Sequence, residues 1–64
     1  MEDKVKELQA ELDVGYSVAD ELLRLSGGDM SLAVSASRES LGLNQCKANI
    51  IDRRFKRLEE KLDE

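Results

Sequence analysis

The fold is decided by residues 22–34, LLRLSGGDMSLAV, in the middle of the chain. A glycine directly after a leucine-rich helical pattern, here Gly27, is the usual left-handed residue that ends a helix. Asp29 is a strong N-cap, because its carboxylate can accept a hydrogen bond from an amide of the next helix and favours the positive end of the helix dipole. The stretch therefore predicts two helices joined by a tight turn at 26–29.

Two further helical segments precede this turn. Helix one is predicted from about Asp3 to Leu12, followed by a turn at 13–16 in which Gly15 is expected to supply a left-handed or tight conformation. Ser17 is the predicted N-cap of helix two, in a capping box with Asp20. Apolar residues at helical spacing form the predicted core faces of helices one and two: Val5, Leu8, Leu12, Val18, Leu22 and Leu25, flanked by Ala19 and Leu23.

Two helical segments also follow the turn. Helix three is predicted to start at Asp29 and to end at Gly42, and helix four is predicted from its N-cap Asn44 to about Asp63. The chain has no proline, and no alternating run of β-branched residues indicates a strand. We therefore predict an all-α domain with turns near 13–16, 26–29 and 41–44. The apolar side of helix three is predicted to consist of Met30, Ala33 and Val34, with Leu41 near its end.

Helix four carries an apolar stripe at alternating steps of three and four residues, as in a coiled-coil heptad. Two interpretations stay open: the stripe packs on the rest of the bundle, or it joins two copies of the chain. For the second, an antiparallel pair would bring the basic segment 53–57 near the acidic residues Glu59, Glu60 and Asp63 of the other copy. A homodimer is the expected assembly. The stripe runs through Ala48, and its predicted dimerisation residues are Ile51, Phe55, Leu58 and Leu62.

Composition restricts the function classes. The chain has 64 residues, no histidine and one cysteine, so the usual general base, an internal disulfide and a multi-cysteine zinc site are all missing. We expect no enzyme activity, no cofactor and no metal site. The formal net charge is −4, which gives no general attraction to nucleic acid or to an anionic membrane. No targeting or membrane-spanning segment is visible, and the expected location is cytoplasmic.

The segment 5–34 resembles the UBA-like three-helix domains, most closely the N-terminal domain of elongation factor Ts and the UBA domain of the nascent polypeptide-associated complex. The shared pattern comprises the start VKEL at 5–8, Gly15, the pair LL at 22–23, GGD at 27–29 and the pair AV at 33–34. The resemblance implies a UBA-like unit over residues 1–43. Residues 44–64 would be a C-terminal amphipathic helix, either part of the same small domain or a dimerisation helix.

The same resemblance implies a function. UBA-like domains bind protein partners, so it predicts a non-enzymatic protein–protein interaction module. The contact surface would be the loop between helices one and two together with the end of helix three. The predicted partner-binding residues are Val14, Gly15, Tyr16 and Met30.

Two alternatives stay open. The stretch LRLSGGD at 23–29, LGLN at 41–44 and the basic helix that follows resemble the helix-turn-helix of Fis-type DNA-binding domains, although the spacing between these segments departs from that pattern. A DNA-binding protein would use helix four. The other alternative is a small oligomerising regulatory subunit. The candidate nucleic-acid contacts are Lys47, Arg53, Arg54, Lys56 and Arg57.

Overall fold

A computed structural model describes the backbone of residues 2–62 and the side chains of residues 2–60. This part of the chain forms four α-helices and contains no strand: α1 Glu2–Leu12, α2 Tyr16–Leu25, α3 Met30–Arg38 and α4 Leu43–Leu62. The prediction of a compact all-α domain is confirmed.

One core cluster joins all four helices. Helix α1 packs against α2 and α3, and α4 packs against α2 and α3. Each helix contributes apolar side chains at helical spacing, so burial against the neighbours, rather than intrinsic propensity, stabilises these short helices. The buried residues are Val5, Leu8, Ala19, Leu22, Leu23, Leu32, Ala33, Ala36, Cys46 and Ile50.

The turn between α2 and α3 is as predicted. Gly27 and Gly28 have φ values of +70° and +85°, which L side chains rarely adopt. The Gly27 amide donates to the Arg24 carbonyl at 3.1 Å, and the Gly28 amide donates to the Leu23 carbonyl at 2.9 Å. These two bonds form a Schellman motif that satisfies the last carbonyls of α2 and reverses the chain.

The turn between α1 and α2 differs from the prediction. The left-handed residue is Asp13, with φ +54°, and not Gly15, whose φ and ψ of −69° and 161° are extended. Gly15 is instead the N-cap of α2, and the helix begins at Tyr16 without a side-chain cap. The predicted capping box at Ser17 is therefore wrong. A short polar side chain such as aspartate tolerates the left-handed region, so the glycine was not required there.

Helix α3 ends earlier than predicted. It stops at Arg38, and residues 39–42 form an irregular connection to α4. Leu41 lies in that connection with its side chain fully exposed, so its assignment to the apolar side of α3 is wrong. The core face of α3 includes Leu32 and Ala36, which the sequence interpretation missed, whereas Met30 and Val34 are only partly buried.

Helix α4 packs on the bundle through a face other than its predicted stripe. Cys46 and Ile50 are buried in the core. The stripe residues Ile51, Phe55 and Leu58 are 53%, 61% and 51% exposed. The interpretation in which the stripe packs on the chain's own bundle is thus wrong for these three residues. The side chain of the fourth, Leu62, lies outside the described residues.

Candidate functional site

An apolar groove of about 400 Å³ lies where the α1–α2 connection meets the end of α3 and the start of α4. We call it the end groove. Its walls come from residues far apart in sequence, from Val14 after α1 to Cys46 in α4. The end groove is lined by Val14, Gly15, Val18, Leu22, Ser37, Ser40, Leu41, Gly42, Leu43 and Cys46.

Two leucines lie at the rim of the end groove, Leu41 in the α3–α4 connection and Leu43 as the first residue of α4. The Leu41 amide donates to Gln45 Oε1 at 2.9 Å, and Asn49 Nδ2 donates to Ser40 Oγ at 2.8 Å. These bonds fix the backbone of the connection on the first turns of α4. The Leu41 side chain is nevertheless 100% exposed, and that of Leu43 is 42% exposed. The rim therefore presents apolar side chains to solvent from a hydrogen-bonded backbone.

The structure brings only part of the predicted partner-binding set together. Val14 and Gly15 line the end groove. Tyr16 follows them as the first residue of α2, is 47% exposed and lies outside the core. Met30 begins α3, about 10 Å from the groove end of that helix at 1.5 Å per residue, and lines a separate depression that includes Val34. Sequence reasoning missed Leu43, which the leucine pair flanking Gly42 could have indicated.

The basic residues of α4 contact groups of the same chain. Lys47 Nζ lies 2.6 Å from Glu21 Oε1 of α2. Arg53 contacts Ser35 of α3 and Glu39, the residue directly after that helix. The five candidate nucleic-acid residues Lys47, Arg53, Arg54, Lys56 and Arg57 thus have own-chain partners, which are, in order, Glu21, Ser35 with Glu39, the Leu25 carbonyl, Asp52 and Asp29.

Two of these arginines hold the Gly-Gly-Asp turn. Arg54 Nη1 donates to the Leu25 carbonyl at 3.0 Å, and its guanidinium covers Gly27 so closely that a Cβ there would lie 3.1 Å from Cζ. Arg57 Nη1 donates to Asp29 Oδ2 at 2.7 Å. Asp29 Oδ1 also accepts from the Leu32 amide at 3.1 Å, which confirms the predicted N-cap. The Arg57 hydrogen bond, followed by the Leu32 amide, lowers the pKa of Asp29.

A second apolar surface lies on α4. Ile51, Phe55 and Leu58 form it together with the partly buried Leu25 at the end of α2, around a shallow depression of about 190 Å³. We call it the α4 apolar face. It shares no lining residue with the end groove, so the two apolar surfaces are separate.

Residues 2–60 contain no group of three or more acidic or cysteine side chains placed to hold a metal ion. None of the described helices is both long and apolar enough to cross a membrane. Comparison of the chain with known protein families, curated proteins and solved structures gave no significant match.

Proposed function

We propose that this chain is a non-enzymatic protein–protein interaction module that binds a protein partner through the end groove. The observation that carries the proposal is Leu41, a fully exposed leucine on a backbone held by Gln45. Single exposed leucines are common on protein surfaces, but here Leu43 and Val14 continue the apolar surface into a concave site. A concave apolar site with a fixed rim offers an anchoring contact at a low entropic cost of ordering.

The resemblance to UBA-like domains supports the same surface. It implies contact through the α1–α2 loop and the end of α3, and Val14, Gly15 and Ser37 of the end groove come from those two segments. Tyr16, exposed beside them, is a further candidate contact. Met30 is left out of this proposal because it lines a different depression.

The charges of α4 favour a protein partner over DNA. A DNA-binding helix uses its cations to neutralise phosphates. Arg54 and Arg57 instead hold the turn between α2 and α3, and Lys47 pairs with Glu21. Binding DNA through Lys47 or Arg57 would compete with the ion pairs that these side chains make with Glu21 and Asp29.

Site-specific photocrosslinking tests the proposal. Leu41 is replaced by photoreactive benzoylphenylalanine, and the protein is irradiated in an extract of the organism that encodes it. Lys6, an exposed residue of α1 outside the end groove, takes the same replacement as the matched control. We expect a crosslinked protein of defined mass from position 41 that position 6 does not give. An identical set of products from both positions would contradict the proposal.

A further inference from the structure

The α4 apolar face is a continuous surface that the chain itself leaves open. Its three α4 side chains are each about half exposed, and Phe55 is the most exposed of them at 61%. They recur every three or four residues, which is the spacing by which one helix packs against another. Leu25 at the end of α2 extends the face sideways. The surface therefore has the shape and periodicity of a helix-docking site.

The two flanks of this face carry opposite charges. At about 100° per residue, Lys47 and Arg54 lie along one side of the stripe and Asp52 and Glu59 along the other. Arg54 is exposed and uses one of its five donors on the Leu25 carbonyl, which leaves others to bind a second acceptor. Asp52 and Glu59 are exposed as well. Any partner helix therefore meets a basic edge and an acidic edge.

Symmetry decides which helix fits between these edges. In a two-fold pair of parallel helices, the basic flank of each copy faces the acidic flank of the other, so that Arg54 lies opposite Glu59. Lys47 and Asp52 face each other in the same way, but each already has a partner in its own chain, Glu21 and Lys56 respectively. In an antiparallel pair each flank faces its own kind, and Asp52 lies opposite Glu59. This repulsion disfavours the antiparallel arrangement. The sequence favoured that arrangement through the positions of the basic and acidic segments along the chain, which do not show on which side of the stripe each charge lies.

We propose that the α4 apolar face binds the same face of a second copy of this chain, with the two α4 helices parallel and the Arg54 flank of each against the Glu59 flank of the other. A second copy is the partner because the face has one basic and one acidic edge, so that two copies of it are complementary in charge. The three described side chains of this face on α4 give an interface smaller than that of a stable obligate dimer. We expect a dissociation constant on the order of 100 µM or lower, and below about 1 mM in any case.

Sedimentation equilibrium on the full chain and four variants tests the proposal. Phe55→Asp should abolish the dimer without unfolding the chain, because Phe55 is largely exposed. Leu41→Asp makes the same change on the end groove and should leave the dimer unchanged. Glu59→Lys should weaken the dimer about tenfold by placing two cations opposite each other across the interface. Glu60→Lys makes the same change in net charge on the opposite side of α4, beside Arg57, and should have a much smaller effect.

Three results would overturn the proposal. A wild-type chain that is monomeric at about 1 mM would exclude the dimer. A dimer that resists Phe55→Asp, in a variant shown by circular dichroism to be folded, would place the interface elsewhere. A dimer strengthened by Glu59→Lys would exclude the parallel arrangement, because that change removes a repulsion only in the antiparallel pair. None of these measurements depends on the end groove, so the interaction function proposed above stands or fails separately.

Discussion

At the residue scale, Asp29 connects the turn to α4. One carboxylate oxygen caps α3 through the Leu32 amide, and the other accepts from Arg57. A single side chain thus satisfies a helix terminus and fixes the position of α4 over α3. Both contacts favour the ionised carboxylate, which is why the pKa of Asp29 lies below its ordinary value of 3.8.

The lowered pKa predicts a pH-dependent contribution to stability. Because the unfolded chain binds the proton at a higher pH than the folded chain, ionised Asp29 stabilises the fold fully above about pH 4, and this contribution is lost as the pH falls through the lowered folded pKa. Asp29→Asn keeps a capping side chain but loses the ion pair. We expect its melting temperature to lie below that of the wild type at about pH 7 and the difference to shrink at about pH 2. Thermal melts at both pH values give the answer, and an equal difference at both would contradict this role.

Gly27 and Gly15 should respond differently to the same substitution. Gly27→Ser should cost about 1 kcal/mol, because position 27 needs a positive φ and the Arg54 guanidinium would have to shift. Gly15→Ser should be neutral or stabilising by a few tenths of a kcal/mol, because the N-cap position is extended and open and serine is a good cap. Urea denaturation of both variants measures the two free energies of unfolding. Equal losses of stability at both positions would contradict the positive φ of Gly27 as the cause of its cost.

At the element scale, the two isoleucines of α4 have different roles. Ile50 is completely buried in the core, whereas the adjacent Ile51 is 53% exposed on the α4 apolar face. Ile50→Val should cost about 0.5–1.5 kcal/mol, since it leaves a small cavity in the core. Ile51→Val, the matched control, should change the stability by less than about 0.5 kcal/mol. Denaturation at low micromolar concentration, where we expect the chain to be monomeric, measures both changes in stability. Equal losses for the two variants would contradict the assignment of Ile50, and not Ile51, to the core face of α4.

The helix ends differ in how well the sequence predicted them. The end of α2 and the start of α3 were predicted correctly, because the Schellman glycine and the Asp29 cap act through local chemistry. The start of α2 was not, because Asp13 takes the left-handed conformation that glycine usually supplies and Gly15 serves as an extended cap. Both aspartate and glycine can adopt the left-handed conformation, so the local sequence does not tell which of Asp13 and Gly15 adopts it.

The packing face of α4 was beyond local pattern for a different reason. Its most regular apolar stripe includes Phe55 and Leu58, yet the core face uses Cys46 and Ile50. The sequence of α4 shows two apolar faces. Which of them packs in the core depends on how the other three described helices are arranged, and the pattern within α4 does not contain that information. The end groove was predicted in part, through Val14 and Gly15. Leu41 was missed as a rim residue, because the end of α3 was placed too late.

At the scale of the whole molecule, the described residues form a body of four helices in which most cations of α4 are paired with groups of the same chain. This charge arrangement predicts the absence of tight DNA binding. Fluorescence anisotropy with DNA duplexes at physiological salt should show no sequence-dependent affinity below about 1 µM. Submicromolar, sequence-dependent binding that Arg53→Ala weakens would restore the DNA-binding alternative.

Binding of a protein partner at the end groove is tested most directly by calorimetric titration. The protein identified by crosslinking from position 41 is titrated into the wild type, Leu41→Asp and Phe55→Asp. Leu41 is fully exposed, so its substitution should leave the fold intact. We expect Leu41→Asp to weaken binding at least about tenfold, equivalent to about 1.4 kcal/mol, because it places a charge on the rim of an apolar groove. Phe55→Asp, on the other surface, should leave the affinity unchanged. Equal affinities for the wild type and Leu41→Asp would contradict the account.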